Sequence, residues 1–208
     1  GRNHSRRFRP SLEVEGDPQL ELLNELRQAL AHGTQLELFY QTQHYLDDGR
    51  LAGMEALLRW YHPTQGMISP ASFIPLAERH GLMTALGDWV IERACAQVAA
   101  WRQQGVSFVP VWINISAVQL IQGDLEAKLS ASLAKYHVPA AMLGLELTES
   151  VLLDERAGDI SARLVALRDK GHPIAIDDFG TGYSSMAYLK QLPVDKLKLD
   201  RAFVRALP

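Results

Sequence analysis

Two spacings of hydrophobic residues alternate along the chain. Residues 18–32, PQLELLNELRQALAH, repeat at helical period and predict a helix closed by Gly33. LELFYQTQHYL and RLAGMEALLRW then flank Asp47, Asp48 and Gly49, a composition that predicts two adjacent antiparallel strands joined by a tight turn. SPASFIPLAERHG opens with Ser69 in a capping position and Pro70 in the first turn, and GDWVIERACAQVAAWRQQG keeps helical spacing, so two helices follow. Beyond them SFVPVWINIS reads as a strand, 119–136 as a helix, MLGLELTE as a strand, and ISARLVALRDKG as a helix ended by Gly171. PIAID then reads as a strand, YSSMAYLKQL as a helix and DKLKLD as a strand. The recurring unit is a strand plus a helix, without short-period repeats or low-complexity tracts.

Each of the last four strands carries a polar residue near its end: Asn114, Glu146, Asp177 and Lys198, separated by 32, 31 and 21 positions. That spacing suits successive parallel strands with crossover helices, so an α/β barrel or a doubly wound sheet is expected. Side chains alternate across a strand, so parity assigns faces. Glu55, Leu57 and Arg59 share one face; Trp112, Asn114 and Ser116 share another, opposite Val111 and Ile113. Glu146 opposes Leu145 and Leu147, Asp177 opposes Ile174 and Ile176, and Lys198 opposes Leu197 and Leu199. A barrel makes all these second faces converge on one axis, and its C-terminal rim is where such folds carry chemistry.

Composition narrows the class. At 208 residues and 47% hydrophobic, the chain can bury one large core or two small ones. Its formal charge, 21 minus 24 or −3, provides no global basic field for a DNA or RNA duplex, and the arginines of GRNHSRRFRP read as a solvated linker. Cys95 is the sole cysteine, within a helical pattern, so it reads as a buried thiol. Neither a membrane-length apolar run nor a signal-peptide pattern is present, so a cytoplasmic setting is expected, with membrane attachment only through segments outside this chain.

Glu55, Glu146, Asp177 and Asp178, balanced only by Lys198 and Arg59, would repel one another, and a bound cation is the natural remedy. Hard oxygen donors favour Mg²⁺, Mn²⁺ or Ca²⁺, and the seven histidines form no pair at i, i+4 that would suggest zinc. Asp177 and Asp178 should point to opposite faces of an ideal strand. At the strand end, however, Gly180 and Gly182 permit the chain to leave the pleat, so one carboxylate can bridge two cations. A two-cation site suits in-line displacement at phosphorus, and phosphate ester cleavage is the reaction class expected.

E-A-L at 55–57 followed by L-R-W, N-I-S at 114–116, E-L-T-E at 146–149, D-D-F-G-T-G-Y-S-S at 177–185 and L-P-V-D-K-L-K-L-D at 192–200 occur in order. Together they resemble the bacterial EAL domain from about residue 17 onward. The resemblance implies a modified (β/α)₈ TIM-like barrel with an antiparallel first strand, about six strands of which lie in this chain. It also implies a Mg²⁺- or Mn²⁺-dependent phosphodiesterase that opens cyclic di-GMP to linear pGpG, and a homodimer. By motif match, Glu55, Asn114, Glu146 and Asp177 resemble ligands of one metal, and Asp177 with Asp178 ligands of a second. Lys198 resembles the residue that holds the nucleophilic water or the charge developing on phosphate. Glu149, whose parity faces away from the interior, resembles the glutamate that steadies the DDFGTGYSS loop; the plainer reading is a helix cap. Gln41, Leu57 and Arg59 resemble substrate contacts, with Arg59 matched to a phosphate. Thr42 and Leu199 depart from the family pattern without removing a functional group.

GRNHSRRF is similar to the closing strand of a GGDEF domain, so 1–16 are expected to be the tail of such a domain and a linker. The expected EAL region, 17–208, would lack its last two strand-helix units. Those units carry a further glutamate of the second metal site, so weak or no turnover is expected of these residues alone. The competing expectation is a receptor that binds cyclic di-GMP without cutting it.

Overall fold

The computed structural model describes residues 17–106, 109–122, 124–153, 157–180, 192–200 and 202. The stretch 1–16 and the expected helix YSSMAYLKQL, apart from Leu192, lie outside the described residues.

Helix α1, Pro18–His32, starts where Asp17 accepts a hydrogen bond from the Gln19 N–H (3.0 Å), and it ends at Gly33 in the left-handed conformation. Strands β1, Leu36–His44, and β2, Leu51–His62, form the expected antiparallel pair. A short strand, β3, Gly66–Ile68, folds back on β2 and was not read from the sequence. Helix α2, Pro70–Arg79, is capped by Ser69 as expected, and α3 runs Met83–Gln103. Strand β4 is Val111–Asn114, the core of the stretch read as SFVPVWINIS.

The helix expected over 119–136 is in fact two, α4 Ala117–Gln122 and α5 Leu125–Tyr136, with Asp124 at the N-cap of the second. Aspartate is a poor helix-interior residue and favours caps, so the second helix has a local start signal. Strand β5, Leu143–Thr148, helix α6, Ala157–Asp169, and strands β6, Ile174–Phe179, and β7, Lys196–Leu199, complete the described elements.

The sheet order is β1-β2-β4-β5-β6-β7, with β3 on the flank of β2. β1 is antiparallel to β2, and every later neighbour on that path is parallel. This is the expected TIM-like α/β arrangement with six strands in line; the sheet is not closed among the described residues. Val111, Ile113, Leu143, Leu145, Leu147, Ile174 and Ile176 point outward and are buried beneath helices that contribute Ile91, Val98, Leu129, Leu164 and Leu167. A second cluster, around Trp60 and Phe73, joins α1 and α2 to the far end of β2.

The inner face is filled low down by Trp112. A Cβ added to Gly53 would lie 2.8 Å from its indole, and one added to Gly144 only 2.4 Å away. Both glycines are therefore required by close approach of the ring, and Lys196 caps it with its ammonium 4.8 Å from the centroid. With the lower interior plugged, the polar side chains above it face an open mouth.

Candidate functional site

Strand register sets neighbouring polar residues level or two positions apart. Glu55, within β2, lies opposite Trp112, Asn114 opposite Glu146, and Asp177 opposite Thr148, the last three strands carrying them at or near their C-terminal ends. One oxygen from each of Glu55, Glu146 and Asp177 can be chosen so that the three lie within 4.8 Å of one another. The Lys198 ammonium stands among them, donating to Glu55 (2.8 Å), Glu146 (2.8 Å) and Asp177 (2.6 Å). Asn114 donates its Nδ2 to the Glu55 Oε1 at 3.1 Å, which leaves its own Oδ1 as the acceptor it can offer. The four strand-end residues expected from parity, together with Glu55, are thus brought together.

Charge accounting within this group is unfavourable. Three carboxylates against one ammonium leave two negative charges. Glu146 is fully buried, and its Oε1 has no hydrogen-bond partner among the described residues. Burial pushes its carboxyl above the usual carboxylate range, Lys198 opposes that, and Glu55 and Asp177 add to it. Burial also works against the charge on Lys198, but its bonds to Asp177, Glu146 and Glu55 prevail and raise it above the ordinary lysine value. An orphaned carboxylate oxygen beside an excess of two negative charges fits a divalent, oxygen-seeking cation.

Asp178 is placed differently. It has φ 53°, and the register of β6 against β7 shifts between Ile176 and Phe179. The departure from the pleat therefore occurs at Asp178 itself, ahead of Gly180, where the sequence reading had placed it at the glycines. Aspartate tolerates this conformation better than most residues, and the Asp178 N–H is held by Asp177 Oδ1 at 2.8 Å. The Asp178 carboxylate is outside the group of three that could share a cation. Burial first, then the charges of Asp177 and Asp200, raise its pKa.

Glu149 begins a short 3₁₀ turn, Glu149–Leu153, immediately after β5 and is 2% exposed. Its Oε2 accepts from the Gly180 N–H at 2.7 Å, so it ties the end of β5 to the residue directly after β6.

Beside the acidic group lies a cavity of about 390 Å³. Leu57, Arg59, Asn114, Ser116, Gln119, Thr148 and Ser150 line it, with Ile74, Met83, Leu86 and Val90 as an apolar wall. Arg59 bonds the Leu58 carbonyl through Nη1 and lies over the Phe39 ring, its guanidinium carbon 5.7 Å from the centroid. Gln41 is exposed, on β1 opposite Glu55.

Lys196, Gln119 and Gln43 were missed. Lys196 shares parity with Lys198, and it donates to Gln43 at 2.5 Å. The Ser116-x-x-Gln119 spacing is legible as a capping signal for a helix that starts before 119.

The fold and site define a TIM-like α/β domain with a candidate cation centre at the C-terminal ends of its strands. Residues 23–208 match the family model described as EAL domain, and the chain belongs to that family. It is 41% identical, over its whole length, to the bifunctional diguanylate cyclase/cyclic di-GMP phosphodiesterase MucR of Pseudomonas aeruginosa, covering 30% of that protein. It is 42% identical to the cyclic di-GMP phosphodiesterase NbdA of the same organism, again over its whole length, covering 26% of that protein. The chain thus spans about a quarter to a third of the curated relatives it matches. The PaMucR phosphodiesterase solved in complex with c-di-GMP superposes with a TM-score of 0.83 at 42% identity, over 89% of this chain and 74% of that one. The FimX EAL domain of Xanthomonas citri, solved with c-diGMP, gives 0.82 at 26% identity, over 93% of this chain and 74% of that one.

Proposed function

We propose that this chain belongs to a phosphodiesterase domain that hydrolyses cyclic di-GMP to linear pGpG with Mg²⁺ or Mn²⁺, with weak or no turnover from these residues alone. The observation that carries the reading is the meeting of Glu55, Asn114, Glu146, Asp177 and Lys198, from five strands, around an uncompensated negative charge beside a cavity.

In this reading Glu55, Asn114, Glu146 and Asp177 hold one cation, and Asp177 with Asp178 a second. The cations, when bound, would supply a nucleophile at neutral pH and neutralise charge on the transferred phosphate. Every other role falls to the chain. Lys198, permanently charged, orients the attacking water or stabilises the charge that develops on the phosphate oxygens. Arg59 offers a planar fork to a phosphate at the cavity edge, and Leu57 and Gln41 position the nucleotide. Glu149 acts as a positioning residue through the Gly180 N–H, holding the loop that follows the two aspartates. Among the described residues no helix is long and apolar enough to cross a membrane. A cytoplasmic setting and a homodimer belong to the same proposal.

The test is incubation of the full-length protein with cyclic di-GMP and Mn²⁺ or Mg²⁺, with chromatography of the nucleotides. Metal-dependent appearance of pGpG that Glu55→Gln abolishes supports the proposal. Tight binding of cyclic di-GMP without cleavage replaces it with a receptor role, and neither binding nor cleavage overturns both.

A further inference from the structure

Gly87 lies within α3, where glycine is less favourable than alanine, so its presence calls for a packing reason. The reason is visible. A Cβ at this position would come 1.6 Å from the Nε2 of Gln119 and 2.3 Å from its Cδ. The amide of Gln119 therefore lies directly on the backbone of α3, and the residue is only 4% exposed.

The other end of the same amide closes a reciprocal cap. Gln119 Oε1 accepts from the Ser116 N–H (3.1 Å) and the Ser116 hydroxyl (3.0 Å), while Ser116 Oγ accepts from the Gln119 N–H (3.2 Å). A backbone N–H can only donate, so the oxygen of the amide must face Ser116 and its NH₂ end must face Gly87. Ser116 is two residues beyond Asn114, and the residue between them, Ile115, bonds through its N–H to the Glu146 carbonyl at 2.8 Å. The turn from β4 to α4 is thus fixed on one side by β5 and on the other by an amide seated on α3. Asn114, at the head of that turn, has its Nδ2 committed to Glu55.

We propose that Gly87 and Gln119 are positioning residues of the cation site: Gln119, seated where a Cβ would otherwise stand, fixes the 114–116 turn and through it the carbonyl Oδ1 of Asn114. This rests on the reading of Asn114 as a cation ligand. It assigns a part in that site to a helix that contributes no ligand to it.

The experiment measures Mn²⁺ alone, with no nucleotide, by titration calorimetry on the full chain, with circular dichroism to verify folding. Asn114→Ala sets the benchmark. Gln119→Ala and Gly87→Ala each weaken Mn²⁺ binding about tenfold, the lower end for residues that orient a metal ligand, whereas Gln119→Glu, which keeps the acceptor for Ser116, stays within about threefold of the parent. Adding Gly87→Ala to Gln119→Ala causes no further loss, because the truncated side chain leaves room for the Cβ. Adding Gln119→Ala to Asn114→Ala also causes none, which a general loss of stability would not reproduce. Should Gln119→Ala not fold, Gln119→Met, similar in volume and lacking the acceptor, takes its place. Parent-like affinity in Gln119→Ala, equal loss in Gln119→Glu, or additive loss in either double variant overturns the proposal. Absence of Mn²⁺ binding in the parent protein overturns the cation-site reading itself, and so separates the two failures.

Discussion

Replacing Lys198 by methionine removes the ammonium that, alone among the described residues, touches Glu55, Glu146 and Asp177, while keeping the length and much of the volume of the side chain. Breaking a buried ion pair by deleting one partner costs about 3–5 kcal/mol, because the remaining charge is left uncompensated. Lys198 retains 20% side-chain exposure, as does Asp177, and Glu55 retains 14%, so water screens part of the repulsion and the lower end, about 3 kcal/mol, is appropriate. For a chain of this size about 1 kcal/mol moves Tm by roughly 2–4 °C, so Lys198→Met should melt about 6–12 °C lower in a chelator such as EDTA.

The sign with pH follows from Glu146, whose carboxyl burial already holds above its unfolded value. A carboxyl raised in the folded state favours folding below its unfolded pKa, and the benefit is lost as pH rises through the folded value. Without Lys198 the upward shift grows, so the deficit of the variant should be small near pH 4.5 and large at pH 8. Mn²⁺ at a hundredfold excess over Kd should stabilise the variant by about 2.7 kcal/mol relative to the same protein in EDTA. Differential scanning calorimetry across pH, with and without Mn²⁺, reads all of this. A Tm in EDTA at pH 8 that is unchanged or higher than the parent's would refute the reasoning, since the methionine would then be better accommodated than the ammonium it replaces.

Arg59→Ala should raise KM for cyclic di-GMP by about tenfold or more while changing kcat much less, as expected for a lost charge-assisted phosphate contact, and steady-state kinetics on the nucleotide separates the two. Gly144→Ala drives a methyl into the Trp112 ring and should destabilise by about 1–3 kcal/mol, measured by urea unfolding; the same loss in a Trp112→Leu background would show that the ring is not the obstacle. His172 is buried and donates its Nδ1–H to the Leu143 carbonyl at 2.9 Å; burial lowers its pKa below 6.5. Its contribution to stability is full above pH 6.5 and is lost as pH falls through the folded value, so His172→Asn should flatten that part of the Tm-against-pH curve. Cys95 is fully buried, and burial pushes its thiol up to about 12, so Ellman's reagent should label it only after unfolding.

Much of this arrangement was legible because alternation on strands is strict. Once Asn114, Glu146, Asp177 and Lys198 are seen at strand ends opposite aliphatic neighbours, a barrel-like sheet brings them together without further information. The same rule fails at Asp178, where a non-glycine residue takes positive φ; nothing in the alternation marks that position, and only the glycine two residues later hints at it. It fails differently at 119–136. The hydrophobic period carries through Gly123-Asp124, so periodicity argued for one helix where local chemistry makes two. The expected start at 119, two residues later than the observed Ala117, hid the Ser116–Gln119 cap, which belongs to the start of α4.

What no pattern could reveal is where residues far apart in sequence share a volume. Gly53 and Gly144 read as loose positions in strands, yet both exist to admit one indole; Gly87 reads as a weak point in a helix, yet an amide 32 residues away occupies its missing side chain. In each case the glycine is local evidence of a long-range contact. The mouth of the sheet can therefore carry strained and repelling groups because close contacts at Gly53, Gly144 and Gly87 fix the ring beneath it and the turn beside it. A surplus of two negative charges above a loosely filled interior would relax by moving apart. Above Trp112, and beside a turn locked to α3, Glu55, Glu146 and Asp177 have no such freedom, and their repulsion is answered by Lys198 or by a cation.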